Sequence, residues 1–263
     1  MNDAERGAIA WTEARRWARD STTIIAGGAA VVLGAGLTFL AVSVAAGGSA
    51  TGSGTVQLQT DETLTAGSSS ADLVSFAQSA VTMVVPLIAV VLGAQFAGSE
   101  MTSGALLHIA VAARRLRLVI AVRAASGAVV AGTVGAVTAG ASIVAADLGA
   151  RSAGVPDVTA VDAGGTTVIG AAVAAAVIAL LTFSLACLTR RSVVVLIVVL
   201  AYVIVIEPVL AGAAGDVAAW LPRSSLTALA GTDADPVQAL PSIVAALALA
   251  SVAILRLRRD RAA

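Results

Sequence analysis

The sequence contains no lysine, one cysteine and one histidine, and only 12% of its 263 residues are charged. Each scarcity excludes something. Without lysine there is no G-x-x-x-x-G-K-[ST] phosphate loop, so the chain is not expected to hydrolyse ATP itself. Cys187 alone cannot form an intramolecular disulfide. His108 alone leaves no His-pair metal site, and no Ser-His-Asp triad can be drawn without it. Neither H-E-x-x-H nor G-x-S-x-G occurs, which removes the common metalloprotease and serine-hydrolase routes. Aromatic residues are only 3%, so interfacial Trp and Tyr belts must be sparse. The 16 basic residues balance 16 acidic ones, and nothing overall points to nucleic acid as a partner.

What is present is apolar: 58% of the residues are hydrophobic, which excludes intrinsic disorder and points to a membrane protein. Six stretches reach the ~20 residues needed to cross a hydrocarbon core of ~30 Å as helices. They run over 22–46, 73–97, 118–146, 167–188, 192–211 and 240–257. The expectation is an all-α polytopic fold, one transmembrane domain over 1–263. The third stretch is the weakest as a lipid-facing helix, because 17 of the 23 residues from Ala124 to Ala146 are Ala, Gly, Ser or Thr. The same composition suits close helix packing. A signal peptide is the competing reading of the first stretch; the long polar and basic segment before it and the length of its apolar run favour a retained helix.

Arginine placement sets the orientation. Arg6, Arg15, Arg16, Arg19, Arg114, Arg115, Arg117, Arg123, Arg190, Arg191, Arg256, Arg258, Arg259 and Arg261 fall on one side, and only Arg151 and Arg223 on the other. Both termini are therefore expected in the cytoplasm of a multi-pass plasma-membrane protein. Of the outer connections, 47–71 is rich in Gly, Ser and Thr; Thr55–Gln59 could pair as a small hairpin, but the favoured reading is a flexible segment. The connection 212–236 carries Trp220-Leu221-Pro222, an apolar patch expected to dip into the outer interface as short helices.

On the cytoplasmic side, residues 1–21 are expected to form an interfacial helix. Trp11, Ala14 and Ala18 share one face, and Arg15, Arg16 and Arg19 can meet anionic lipid headgroups. A plain topological retention signal explains the same residues. Between the second and third spans, Leu106, Leu107, Ile109 and Ala110 lie on a segment too short and too polar at its ends to cross the bilayer. Glu100 falls just before its expected start, where a helix dipole favours negative charge, and Gly104 permits close approach of another backbone.

Glu100, Gly104, Arg114 or Arg115, and Arg123 together resemble a pattern in the permease subunits of ABC-two-type transporters, especially actinobacterial ones. In those a Glu is followed after three residues by Gly-Thr-Ile, then an apolar stretch, a Pro and Arg near the third span, and a Lys a turn or two later. This chain departs from it with Ala105 for the Thr, Ala112 or Ala113 for the Pro, and Arg123 for the Lys. Trp11 to Arg16 and Trp220 to Pro222 are similar to the family's inner interfacial helix and outer segment. The resemblance implies a permease that forms the translocation path, with export as its direction, alongside a second copy or a paralogue. It implies that ATP is bound by a separate ATPase subunit, and that no cofactor is held in this chain. It makes Glu100, Gly104, Leu107, Arg114, Arg115 and Arg117 the coupling helix that sits in a groove of the ATPase. The plainer reading of that loop is an amphipathic connection that holds topology. The resemblance would place His108 near the ATPase, although a lone His is ordinarily a boundary residue.

Glu207-Pro208 falls about two-thirds of the way along the fifth span, at ~1.5 Å per residue. An acid at that depth is a candidate pathway or outer-gate group. The plainer reading, and the favoured one, is a carboxylate hydrated near the outer interface where the helix breaks. Pro86 marks a kink in the second span that serves packing, and Cys187 is a small apolar residue of the fourth. The rival to a permease is an ion- or proton-coupled carrier, or a membrane sensor, working without an ATPase. A proton-coupled carrier needs buried titratable groups, for which Glu207 is the candidate.

Overall fold

The computed structural model describes residues 21–47, 56–57, 63–64, 70–102, 116–152, 160–214, 218, 220–230 and 236–259. Helix α1 covers Ser21–Gly47, α2 Ser70–Thr102, α3 Leu116–Ser152 and α4 Ala160–Thr189. Helix α5, Ser192–Ala201, runs through a π-helical turn, Tyr202–Ile206, into α6, Glu207–Ala214. A short helix α7, Pro222–Thr227, and a 3-10 turn, Ala228–Ala230, precede α8, Pro236–Arg259. The membrane-crossing lengths are Thr23–Ser43, Gln78–Gly98, Ile120–Ser152, Gly164–Thr189, Ser192–Ala213 and Val237–Arg256. By length and hydropathy this is a six-helix, multi-pass membrane protein. Six crossings return the end of α8 to the side from which α1 starts, here termed the terminal side.

Helix α2 is the centre of the bundle: 67% of its spanning window is buried, against 17% for the α5–α6 span. The reason lies in side-chain size. Apolar attraction between helices vanishes in lipid, so close packing of small residues has to replace it. Gly93 of α2 is seated so near α4 that a Cβ there would stand 2.5 Å from the Ala179 carbonyl oxygen. Gly135 of α3 does the same against Ala171 and Ala175 of α4, each at 2.8 Å. The small-residue stretch of the third span is thus where α3 lies along α4, with α1 on its other flank. A buried hydrogen bond from Gln78 Nε2 to Thr167 Oγ1, 2.9 Å, joins α2 to α4.

Large apolar side chains on α1, α5 and α8 point outward, among them Ile25, Val193 and Leu247. In a bilayer these meet lipid, which removes any hydrophobic cost of their exposure.

The connections differ from expectation in informative ways. Helix α3 continues past Ala146 to Ser152, where Asp147 and Arg151 form an i,i+4 ion pair at 2.9 Å within its last turns. Between α1 and α2, Val56–Gln57 pairs antiparallel with Thr63–Leu64, so the segment forms the small hairpin and not the favoured flexible stretch. The α4–α5 turn is only Arg190–Arg191, closed by the Arg190 amide donating to the Ala186 carbonyl at 2.9 Å. Arg190 takes the left-handed conformation, φ 57°, that usually ends a helix on glycine. Helix α2 continues through Pro86 to Thr102.

Candidate functional site

The residues expected to couple to an ATPase separate into two groups. Glu100 stands in the last turn of α2 and Arg117 in the first turn of α3, both at the terminal side. Gly104, Leu107, Arg114 and Arg115 lie outside the described residues, as do His108 and the expected interfacial helix at 1–20. Sequence puts Glu100 ahead of a new helix; its backbone instead belongs to α2, which runs several residues beyond the expected end at 97. Arg123, at the position of the family's Lys, is 2% exposed on α3.

The second site is on the far side, around Glu207. Pro208 has no N–H, and a helix passing through it must lose a main-chain bond. The chain does not break there. It takes up the defect as a π-turn, in which the Glu207 amide bonds to the Tyr202 carbonyl, five residues back. The next bond of that series would run from residue 208 to the Val203 carbonyl, and Pro208 cannot make it. Arg223 of α7 supplies the missing donor: its Nη1 reaches the Val203 carbonyl at 3.2 Å.

The reverse dependence is equally specific. Helix α7 begins at Pro222 after Leu221, whose side chain makes no capping bond. A helix start leaves amides without partners, and here Glu207 accepts for one of them. Its Oε1 takes the Ser224 amide at 2.7 Å and the Ser224 hydroxyl at 3.1 Å. Glu207 therefore acts as the N-cap of a helix 17 residues away in sequence. The Arg223 guanidinium stands within electrostatic reach of the same carboxylate, and the Tyr202 phenol lies beside it as a neighbouring O–H donor. Its other oxygen, Oε2, is buried without a hydrogen-bond partner among the described residues.

This corrects the reading of Glu207 as a hydrated group at a helix break. The residue is 1% exposed, and protein donors take the place of water around Oε1. The cause is the Trp220–Ala230 segment. It forms short helices, as expected, and these pack against α4 and α8, burying Ser225 and Leu226 completely. Ser225 and Ser242 share a buried hydrogen bond of 2.9 Å that ties α7 to α8.

Sequence reasoning singled out Glu207 and Pro208 but not Arg223, Ser224 or Ser242. A signal was present in Leu221-Pro222-Arg223-Ser224: a Pro start with no capping side chain ahead of it demands an acceptor from elsewhere. Which acceptor answers is a matter of distance in space.

Among the described residues no three His, Cys, Asp or Glu side chains come together as a metal-binding group. Cys187 is buried in α4, 5% exposed, as a small apolar residue. A cavity of about 540 Å³ opens beside Glu207 between α4, α5, α7 and α8, with Arg223, Trp220 and Ser242 also on its wall. Compared with known proteins, the chain matches no family model and no curated sequence.

Proposed function

We propose that the chain is the membrane-spanning permease subunit of an ABC transporter, working in export. A separate ATPase subunit binds ATP, and a second permease copy or paralogue completes the translocation path. The observation that carries this reading is the folded segment α7 between the fifth and sixth spans, on the side opposite the α2–α3 connection. That is the arrangement of the outer segment and coupling loop in the family that the sequence resembles. Two further features support it. The arginine-rich connections all fall on the terminal side, in agreement with cytoplasmic termini. The α2–α3 connection, 103–115, is bounded by Glu100 and Arg117, so its ends sit where a soluble partner can press on two helices at once. One of those helices, α2, is the most buried, so a push there reaches the whole bundle.

The test is mild extraction of the tagged chain from its native membrane, with identification of what stays bound. The wild type is expected to retain an ATP-binding-cassette ATPase, and a Glu100→Arg, Gly104→Trp variant to lose it while keeping its own fold. Retention of no ATPase, under conditions that keep other membrane complexes whole, refutes the reading.

The burial of Glu207 favours a second reading, an ion- or proton-coupled carrier without an ATPase, because such a carrier needs a buried titratable group. Against it, Oε1 is committed to capping α7, and the residue lies about 22 Å along a helix crossing of ~30 Å, away from the midplane. Proton-driven uptake in ATP-free proteoliposomes, abolished by Glu207→Gln, would establish this alternative.

A further inference from the structure

The cavity of about 540 Å³ has one polar end and a long apolar body. Ile178 and Leu181 of α4, Val198 of α5 and Leu249 of α8 are among its apolar lining. Glu207, Arg223 and Trp220 close the far end. Its rim is open laterally: Val198 is 59% and Trp220 49% exposed, and α5 and α8 are among the least covered helices. An apolar cleft that opens sideways from a membrane helix bundle faces acyl chains, and Glu207 at its polar end lies about 8 Å inside the outer edge of the hydrocarbon.

We propose that this cleft holds a membrane phospholipid whose headgroup carries both a phosphate and a primary ammonium. The polar end offers one side chain of each sign. A guanidinium has five N–H donors, and the Val203 carbonyl engages Arg223 only through Nη1, leaving others to meet phosphate oxygens. Glu207 brings a buried carboxylate with the Tyr202 phenol beside it; Oε2 makes no hydrogen bond among the described residues, and a turn of the side chain toward the cleft presents it to a ligand donor. A primary ammonium supplies three N–H groups, one of which can serve it. A choline headgroup has the same charge but no N–H to give. A purely anionic headgroup satisfies Arg223 and leaves Oε2 facing a like charge. Trp220 adds an indole that is apolar in body and polar at one edge, a type enriched at membrane interfaces. The volume encloses only part of a two-chain lipid, so the remaining chain length lies along the exposed faces of α5 and α8. This inference rests on the membrane fold and is independent of any ATPase.

The experiment is native mass spectrometry of the full-length protein. It is offered equal amounts of phosphatidylethanolamine, phosphatidylcholine and phosphatidylglycerol with identical acyl chains. The wild type is expected to retain the ethanolamine lipid at least about fivefold over each of the others. Glu207→Gln is expected to bring it down to the level of the choline lipid. Ala245→Trp, which fills the side of the cleft without touching the Glu207–Ser224 bonds, is expected to remove the bound lipid altogether. Equal retention of ethanolamine and choline lipids overturns the proposal, as does a preference for the glycerol lipid. Undiminished ethanolamine-lipid binding by Ala245→Trp does so even where Glu207→Gln fails to fold.

Discussion

Arg223 donates from Nη1 to the Val203 carbonyl at 3.2 Å, serving the acceptor that Pro208 leaves without a main-chain donor. With Glu207 capping the helix that carries Arg223, the two contacts make α6 and α7 mutually dependent. Removing either strands a buried polar group, so the pair should respond as a unit.

Replacing Arg223 by Met keeps the apolar stem and removes the donor. An unmet buried carbonyl costs about 1–3 kcal/mol, and thermal unfolding in detergent should show a loss of that size. Pro208→Ala restores an N–H at the position facing Val203, so the double variant should recover much of it. Strict additivity of the two substitutions would show that Arg223 is not serving that carbonyl.

Glu207→Ala removes the acceptor for both the Ser224 amide and hydroxyl. Loss of an N-cap costs about 0.5–2 kcal/mol, and hydrogen exchange at Ser224 and Ser225 should accelerate accordingly. Glu207→Gln keeps a carbonyl oxygen at the same reach and should preserve most of the protection. Equal acceleration in both variants would mean that the charge, not the acceptor, holds α7.

Gly93→Ala should destabilise the bundle, because its Cβ would stand 2.5 Å from the Ala179 carbonyl oxygen and the main chain of α4 cannot swing aside. Gly140→Ala on α3 meets nothing within 4 Å. There the gain in helix propensity, about 0.5–1 kcal/mol, should make it neutral to stabilising. The melting temperature should fall for Gly93→Ala and should hold or rise for Gly140→Ala.

Arg190→Gly should raise stability by about 1 kcal/mol, since φ 57° disfavours a side chain with a Cβ and suits glycine. Arg190→Val should lower it, branching at Cβ making that conformation worse. Both effects are read from thermal unfolding, and an unchanged melting temperature in each would place the turn's conformation elsewhere.

The six spans were legible because crossing a bilayer imposes a length and an apolar composition that one sequence displays directly. Helix ends were less so. Helices α2 and α3 run past the expected 97 and 146, because polar residues such as Asp147 and Arg151 pair along a helix as readily as they hydrate in a loop. The sequence also marked Glu207-Pro208 as a singular spot, since an acid beside a proline in an apolar run breaks two local rules at once. Its environment was beyond reach. Whether that carboxylate meets water or Ser224 depends on where residues 220–230 return, and no local pattern specifies a fold-back against α4 and α8. Length and hydropathy are properties of a segment and can be read along the chain. Burial and hydrogen-bond satisfaction at Glu207 belong to four helices together, and only the tertiary structure decides them.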